Sequence, residues 1–161
     1  MGDAIKVGMA DLKVTTKPNS LTTLGLGSCV GICLYDKSKK IIGMAHIMLP
    51  SSKDIRNNSN KHKFADTAID EMIELMKEKG ARSRRLTAKI AGGAMMFKFK
   101  SNNNKMNVGQ RNSEAVKEIL KEKGIKILAD DTGGSFGRTI TFDSSDGSLK
   151  IKTIGHGTEI V

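Results

Sequence analysis

The sequence predicts an α+β fold in which two helices cover a largely antiparallel or mixed β-sheet system. Short apolar runs bounded by turn residues fill the start and the end of the chain, two stretches between them space their apolar residues as helices do, and strands outnumber helices. The helices follow runs of strands rather than alternating with them, which favours α+β over a repeating β-α unit.

Ile5 to Met9 and Leu12 to Thr16 read as strands, followed by the turn residues Lys17-Pro18-Asn19-Ser20. Leu21 to Leu26, Val30 to Asp36 and Ile41 to Leu49 are three more, the last two joined by the polar hairpin connection Asp36-Lys37-Ser38-Lys39-Lys40. Pro50 to Lys63 offers almost nothing to bury and reads as a mobile loop. Ala65, Ala68, Ile69, Met72, Ile73 and Met76 then form one apolar helical face, which Gly80 is placed to end. Arg85 to Ala91 is a strand running into Gly92-Gly93, and Lys98 to Met106 is a second polar loop. Asn112 or Ser113 is the expected cap of a second helix carrying Val116, Ile119 and Leu120 and stopped at Gly124. Ile125 to Ala129, Thr139 to Phe142 and Leu149 to Ile154 are the last strands, separated by the glycine-rich segment Asp131 to Gly137 and the turn Ser144-Ser145-Asp146-Gly147.

The 161 residues fit one domain, 1–161, and a chain of this length buries roughly 70% of its unfolded surface. With no tryptophan, one tyrosine and nine methionines, the core must be aliphatic, with methionine filling irregular gaps. A net charge of +10 speeds encounter with any anionic partner without choosing among nucleic acid, membrane surface and acidic protein. The basic residues are spread along the chain without aromatic interleaving, so nucleic-acid binding is not expected. The first residues hold no apolar signal region, Lys6 stands where a myristoylation signal needs Ser or Thr, and no stretch has the length of a membrane span. A soluble, cytoplasmic protein without membrane insertion is the expectation. Cys29 and Cys33 in one extended strand stand roughly 13 Å apart, beyond disulfide reach, and should be free thiols.

Cys29 closes the run Thr23-Leu24-Gly25-Leu26-Gly27-Ser28-Cys29, and His46 follows one strand later. A free cysteine is most often a small buried hydrophobe. Here Gly25 and Gly27 give the backbone freedom to place the sulfur at a turn, where neighbouring N–H groups can face an oxyanion. Cys33, inside an apolar strand, keeps the structural role. His46 shares a strand face with Met44 and Met48, and a buried imidazole needs a partner, with the Thr23 hydroxyl and the Cys29 sulfur within reach. His62, in a polar loop, and His156 are weaker candidates. The glycines do not make a dinucleotide fingerprint, because Val30 stands where glycine is needed and a strand follows. Asp130 and Asp131 are adjacent in a strand, so their side chains diverge. No spacing fits a metal site, and no cofactor is expected.

Six segments, in order along nearly the whole chain, resemble the chemoreceptor glutamine deamidase CheD family: Leu24 to Cys29, Ala45 to Pro50, Phe64 to Ala68, Lys89 to Phe97, Asn107 to Asn112 and Asp131 to Gly134. The resemblance implies a cysteine hydrolase with Cys29 as nucleophile, His46 as base and Thr23 orienting the imidazole. Gly27 and Ser28 become candidates for oxyanion stabilisation or substrate positioning. It implies a layered α/β/β sandwich similar to the catalytic domain of cytotoxic necrotizing factor toxins. Its substrates would be glutamines on the cytoplasmic helices of chemoreceptors, and the phosphatase CheC would be a partner. The insertion Lys98 to Lys105 departs from the family pattern beside the expected partner surface. The alternative is a non-catalytic adaptor that docks CheC or receptors.

Overall fold

A computed structural model describes residues 2–53, 56, 58–96 and 107–161. Ten strands and two main helices run in the order β1 (Ala4–Lys6), β2 (Asp11–Thr16), β3 (Ser20–Leu26), β4 (Val30–Asp36), β5 (Ile41–Ile47), α1 (Ala65–Glu78), β6 (Thr87–Gly92), α2 (Val108–Glu122), β7 (Lys126–Thr132), β8 (Arg138–Asp143), β9 (Leu149–Thr153) and β10 (Gly157–Ile160). They form two five-stranded sheets, one ordered β1-β3-β8-β9-β10 and the other β2-β5-β4-β6-β7. Both are mixed: β1 pairs with β3 and β6 with β7 in parallel, and the other pairings are antiparallel.

The expected α+β class holds, with three differences in detail. First, α2 begins at Val108, not near Asn112, because the Asn107 side chain accepts from the Gln110 N–H and caps it. That places Asn112 and Ser113 in the second turn, facing inward. Second, α2 is a crossover between β6 and β7, so this part of the chain does alternate strand, helix and strand, and the pair is parallel. Third, β10 adds a strand that exposed Gly157 to Ile160 did not announce, since none of its residues is buried. The loop read over Lys98 to Met106, with its insertion Lys98 to Lys105, lies outside the described residues. The described part of Pro50 to Lys63 is tied down at both ends: Ser52 donates through its N–H and hydroxyl to Asp66, and Met48 and Leu49 donate to the Lys63 carbonyl.

The β2-β5-β4-β6-β7 sheet is the middle layer. One face packs Ile32, Leu34, Ala45, Ile47 and Ile90 against the apolar sides of α1 and α2. The other packs Cys33, Tyr35, Ile42, Met44 and Ala91 against Leu21, Leu26, Ile140, Phe142 and Ile151 of the second sheet. Strands buried on both faces read as continuous apolar runs, which is why β4 and β5 are buried throughout. Each fully buried Leu, Ile or Met contributes about 1.5–3 kcal/mol, so the six buried residues of α1 hold that helix far more firmly than propensity does. The layers approach closely at Gly31, where a Cβ would lie 2.6 Å from Ile140 Cδ1.

Asp36 anchors the far end of the β4–β5 hairpin. Its carboxylate is fully buried and accepts from Arg85 Nε and the Arg82, Ser38 and Lys39 N–H groups. Burial alone would raise its pKa, but these bonds outweigh burial and hold it at about 2.

Candidate active site

Thr23 reaches the space between the sheets from β3. The register of β3 against β8 shifts between Thr23 and Leu26, and Gly25 takes the left-handed conformation there (φ 69°). The strand then ends, and Gly27, Ser28 and Cys29 make the bend that leads into β4. This bend is fastened from β6: the Gly93 N–H donates to the Cys29 carbonyl at 2.8 Å and the Ala94 N–H to the Gly27 carbonyl at 2.9 Å. Gly92 is required for that approach, because its φ is 111° and a Cβ there would stand 2.2 Å from the Cys29 oxygen. Cys29 therefore sits at a turn, as expected from its glycines, and is 8% exposed.

His46 comes from β5, where it lies opposite Gly31 of β4, while Val30 lies opposite Ile47. Continuing that register puts Cys29 diagonal to His46, and the two side chains leave the sheet on the face shared with Met44. Thr23 meets this face from the other sheet: its Oγ1 lies 2.7 Å from His46 Nδ1 and 2.7 Å from the Val7 carbonyl. The structure thus brings Thr23, His46 and Cys29 to one end of the inter-sheet layer.

The hydrogen bonds determine where the imidazole proton sits. The Val7 carbonyl only accepts, so the Thr23 hydroxyl spends its one proton there and must accept from Nδ1–H. Nε2 is left with its lone pair, buried and without a hydrogen-bond partner among the described residues, the Cys29 sulfur included. Such contacts are often open before substrate arrives. Burial lowers the His46 pKa, and burial raises that of Cys29, partly offset by its own N–H. At neutral pH the two groups rest as imidazole and thiol, not as an ion pair. Cys33 is fully buried and burial pushes its pKa far up, which makes it inert.

The other candidates divide. Among the described residues, the N–H groups of Gly27 and Ser28 donate to no neighbouring oxygen, while that of Cys29 faces its own sulfur. Ser28 also borders a cavity of about 180 Å³ floored by Ala94, Met95, Met96, Val108 and Gly109. His62 instead lies 3.7 Å from Asp11, and His156 packs edge-to-face against Phe136. Asp130 and Asp131 do diverge, to Lys117 and Arg138. No cluster of metal-ligating side chains occurs among the described residues, and no helix there is long and apolar enough to cross a membrane.

Two participants escaped the sequence reading. The Val7 carbonyl is a backbone group, for which no side-chain pattern exists. Asn112 is wholly buried and donates through Nδ2 to the Ser28 carbonyl at 3.0 Å and the Met48 carbonyl at 2.9 Å. An asparagine on the buried face of a helix was its available signal, hidden by reading it as a cap.

A family model described as CheD chemotactic sensory transduction matches residues 48–153. A probable chemoreceptor glutamine deamidase CheD of Caldanaerobacter subterraneus subsp. tengcongensis is 58% identical over 157 residues, 98% of this chain and 97% of that protein. A second protein of the same description, from Syntrophomonas wolfei subsp. wolfei, is 55% identical over the full length of both chains. The chemoreceptor glutamine deamidase CheD of Halalkalibacterium halodurans is 53% identical over 98% of each. A likeness of this depth from end to end, with the family model spanning most of the fold, means that the chain belongs to the CheD family.

Proposed function

We propose that this chain is a chemoreceptor glutamine deamidase, converting glutamine side-chain amides on receptor cytoplasmic helices to glutamate and ammonia. The observation that carries the mechanism is the Val7–Thr23–His46 series of hydrogen bonds, which leaves Nε2 as a proton acceptor on the face that holds Cys29. Nε2 takes the thiol proton and the sulfur attacks the amide carbon, forming the C–S bond. The N–H groups of the bend, at Gly27, Ser28 and Cys29, stabilise the oxyanion, a role worth on the order of 10² to 10³ in rate per donor. His46 returns its proton to the nitrogen, the C–N bond breaks and ammonia leaves a thioester on Cys29. Water, deprotonated by the same imidazole, then releases glutamate and the thiol.

Thr23 is neutral and orients the ring without stabilising imidazolium as a carboxylate does, so the turnover is modest. The proposal extends, on the resemblance alone, to a cytoplasmic setting, to the phosphatase CheC as a second partner, and to kinship of the sandwich with cytotoxic necrotizing factor catalytic domains. Incubating the protein with receptor cytoplasmic fragments and reading amide-to-acid conversion by peptide mass spectrometry tests the assignment. Conversion by the native protein and none by Cys29→Ala is expected; an inactive native protein, or full activity in the variant, overturns it.

A further inference from the structure

We propose that Asn112 is a positioning residue that sets the reach between Cys29 and His46. The inference rests on the reading of those two side chains as nucleophile and base. Asn112 lies on α2, outside the bend and the strand that carry them, and its single Nδ2 amino group ties one to the other. One proton goes to the carbonyl of Ser28, the residue before the nucleophile, and the other to the carbonyl of Met48, two residues after the base. Both partners only accept, so the carboxamide has one orientation; a flip would set oxygen against two oxygens.

That orientation has a cost. Among the described residues Oδ1 is buried without a hydrogen-bond partner, and an orphaned buried acceptor costs about 1–3 kcal/mol. Leucine, of similar size, would fill the same space between α2 and the sheet and remove that orphan, but it would strip the Ser28 and Met48 carbonyls of their donor. Packing therefore does not explain asparagine here, whereas the two donated bonds do. They fasten the bend and the end of β5 where the regular ladder has stopped, since the last β4–β5 pair is Val30 with Ile47. The bend is also hung on β6 through Gly93 and Ala94, and a Cβ at Gly109 of α2 would stand 2.3 Å from the Ala94 oxygen. The helix thus bears directly on both supports of the nucleophile. Removing the Nδ2 bonds frees the bend from β5 and lengthens the path of the Cys29 proton to Nε2.

Asn112→Leu and Asn112→Ala, compared with the native protein, test this. The expected result for Asn112→Leu is a melting temperature lowered by the two carbonyls left without a donor, kcat of the folded protein reduced 10- to 100-fold, and slower alkylation of Cys29 by iodoacetamide near neutral pH. In a His46→Ala background the same substitution should leave the alkylation rate unchanged, because no proton acceptor remains to be positioned. Turnover and alkylation at native rates in a folded Asn112 variant overturn the proposal, as does an equal loss of alkylation without His46. Should neither variant fold, the Asn112 carboxamide protons of the native protein decide by NMR: slow exchange with solvent supports the clamp, and free exchange overturns it. Cys29→Ala and His46→Ala run alongside. If either is active, the reading of the site fails; if both are inactive and the folded Asn112 variants behave as native, the clamp alone fails.

Discussion

Replacing Thr23 with valine keeps the shape of the side chain and deletes the hydroxyl that both receives the His46 proton and satisfies the Val7 carbonyl. Two buried bonds vanish and two buried partners are orphaned, Nδ1–H and a backbone oxygen. Each orphan costs about 1–3 kcal/mol, so a loss of about 1–5 kcal/mol in stability follows after about 1 kcal/mol is regained from the added buried methyl. The catalytic effect is separable. Without its acceptor the ring no longer has to keep the proton on Nδ1, and the tautomer or rotamer that aims Nε2 at Cys29 loses about 1.4–2.8 kcal/mol of preference, a 10- to 100-fold fall in kcat. KM should not move, since Thr23 is fully buried and touches no substrate surface. Thr23→Ser retains the hydroxyl and should keep most of the rate. The assay is conversion of receptor fragments followed by mass spectrometry, with thermal melting of each variant. A Thr23→Val protein that is folded and turns over at the native rate refutes the orienting role.

Three further outcomes follow from the same geometry. Because burial depresses the His46 pKa, the base stays unprotonated into mildly acidic solution, and the acid limb of kcat/KM should have its midpoint below the ordinary histidine value of 6.5; a midpoint at or above that value contradicts the neutral resting pair. Gly92→Ala drives a Cβ onto the Cys29 oxygen, so it should lower both melting temperature and turnover, whereas Gly80→Ala, which meets no neighbouring atom at the end of α1, should leave turnover unchanged. The Asp36 carboxyl, lowered from 3.8 to about 2, binds its proton more weakly in the folded state. It therefore supplies about 2 kcal/mol above pH 3.8 that disappears as the pH falls through 2, and Asp36→Asn, titrated by acid melting, should flatten that loss while lowering stability at neutral pH.

Much of this was legible from residue order. The apolar runs of β4 and β5 and the helical spacing of α1 were read to within a residue or two, because both faces of those strands and one face of that helix are buried by tertiary packing. Cys29 and His46 stood out as a thiol after two glycines and an imidazole on an apolar strand face. The start of α2 was misread because Asn112 and Ser113 have the chemistry of caps, and only the three-dimensional position of Asn107 distinguishes a cap from a buried clamp. β10 went unread because an edge strand without a buried face carries no alternation. Thr23 had no local signal either, since its contact with His46 spans two sheets; it entered as a strand neighbour and through family resemblance. The Val7 carbonyl could be found only from coordinates.

The central claim is that Cys29, deprotonated by His46, carries the substrate acyl group through a thioester. Acid quenching of the native protein during turnover of a receptor fragment, followed by mapping of the enzyme peptide that contains Cys29, tests it most directly. A hydroxylamine-sensitive adduct of substrate less ammonia on Cys29 is expected, present in Cys33→Ala and absent in Cys29→Ala, with conversion lost only in the latter. Continued conversion by Cys29→Ala, or an adduct carried on any other residue, would contradict it.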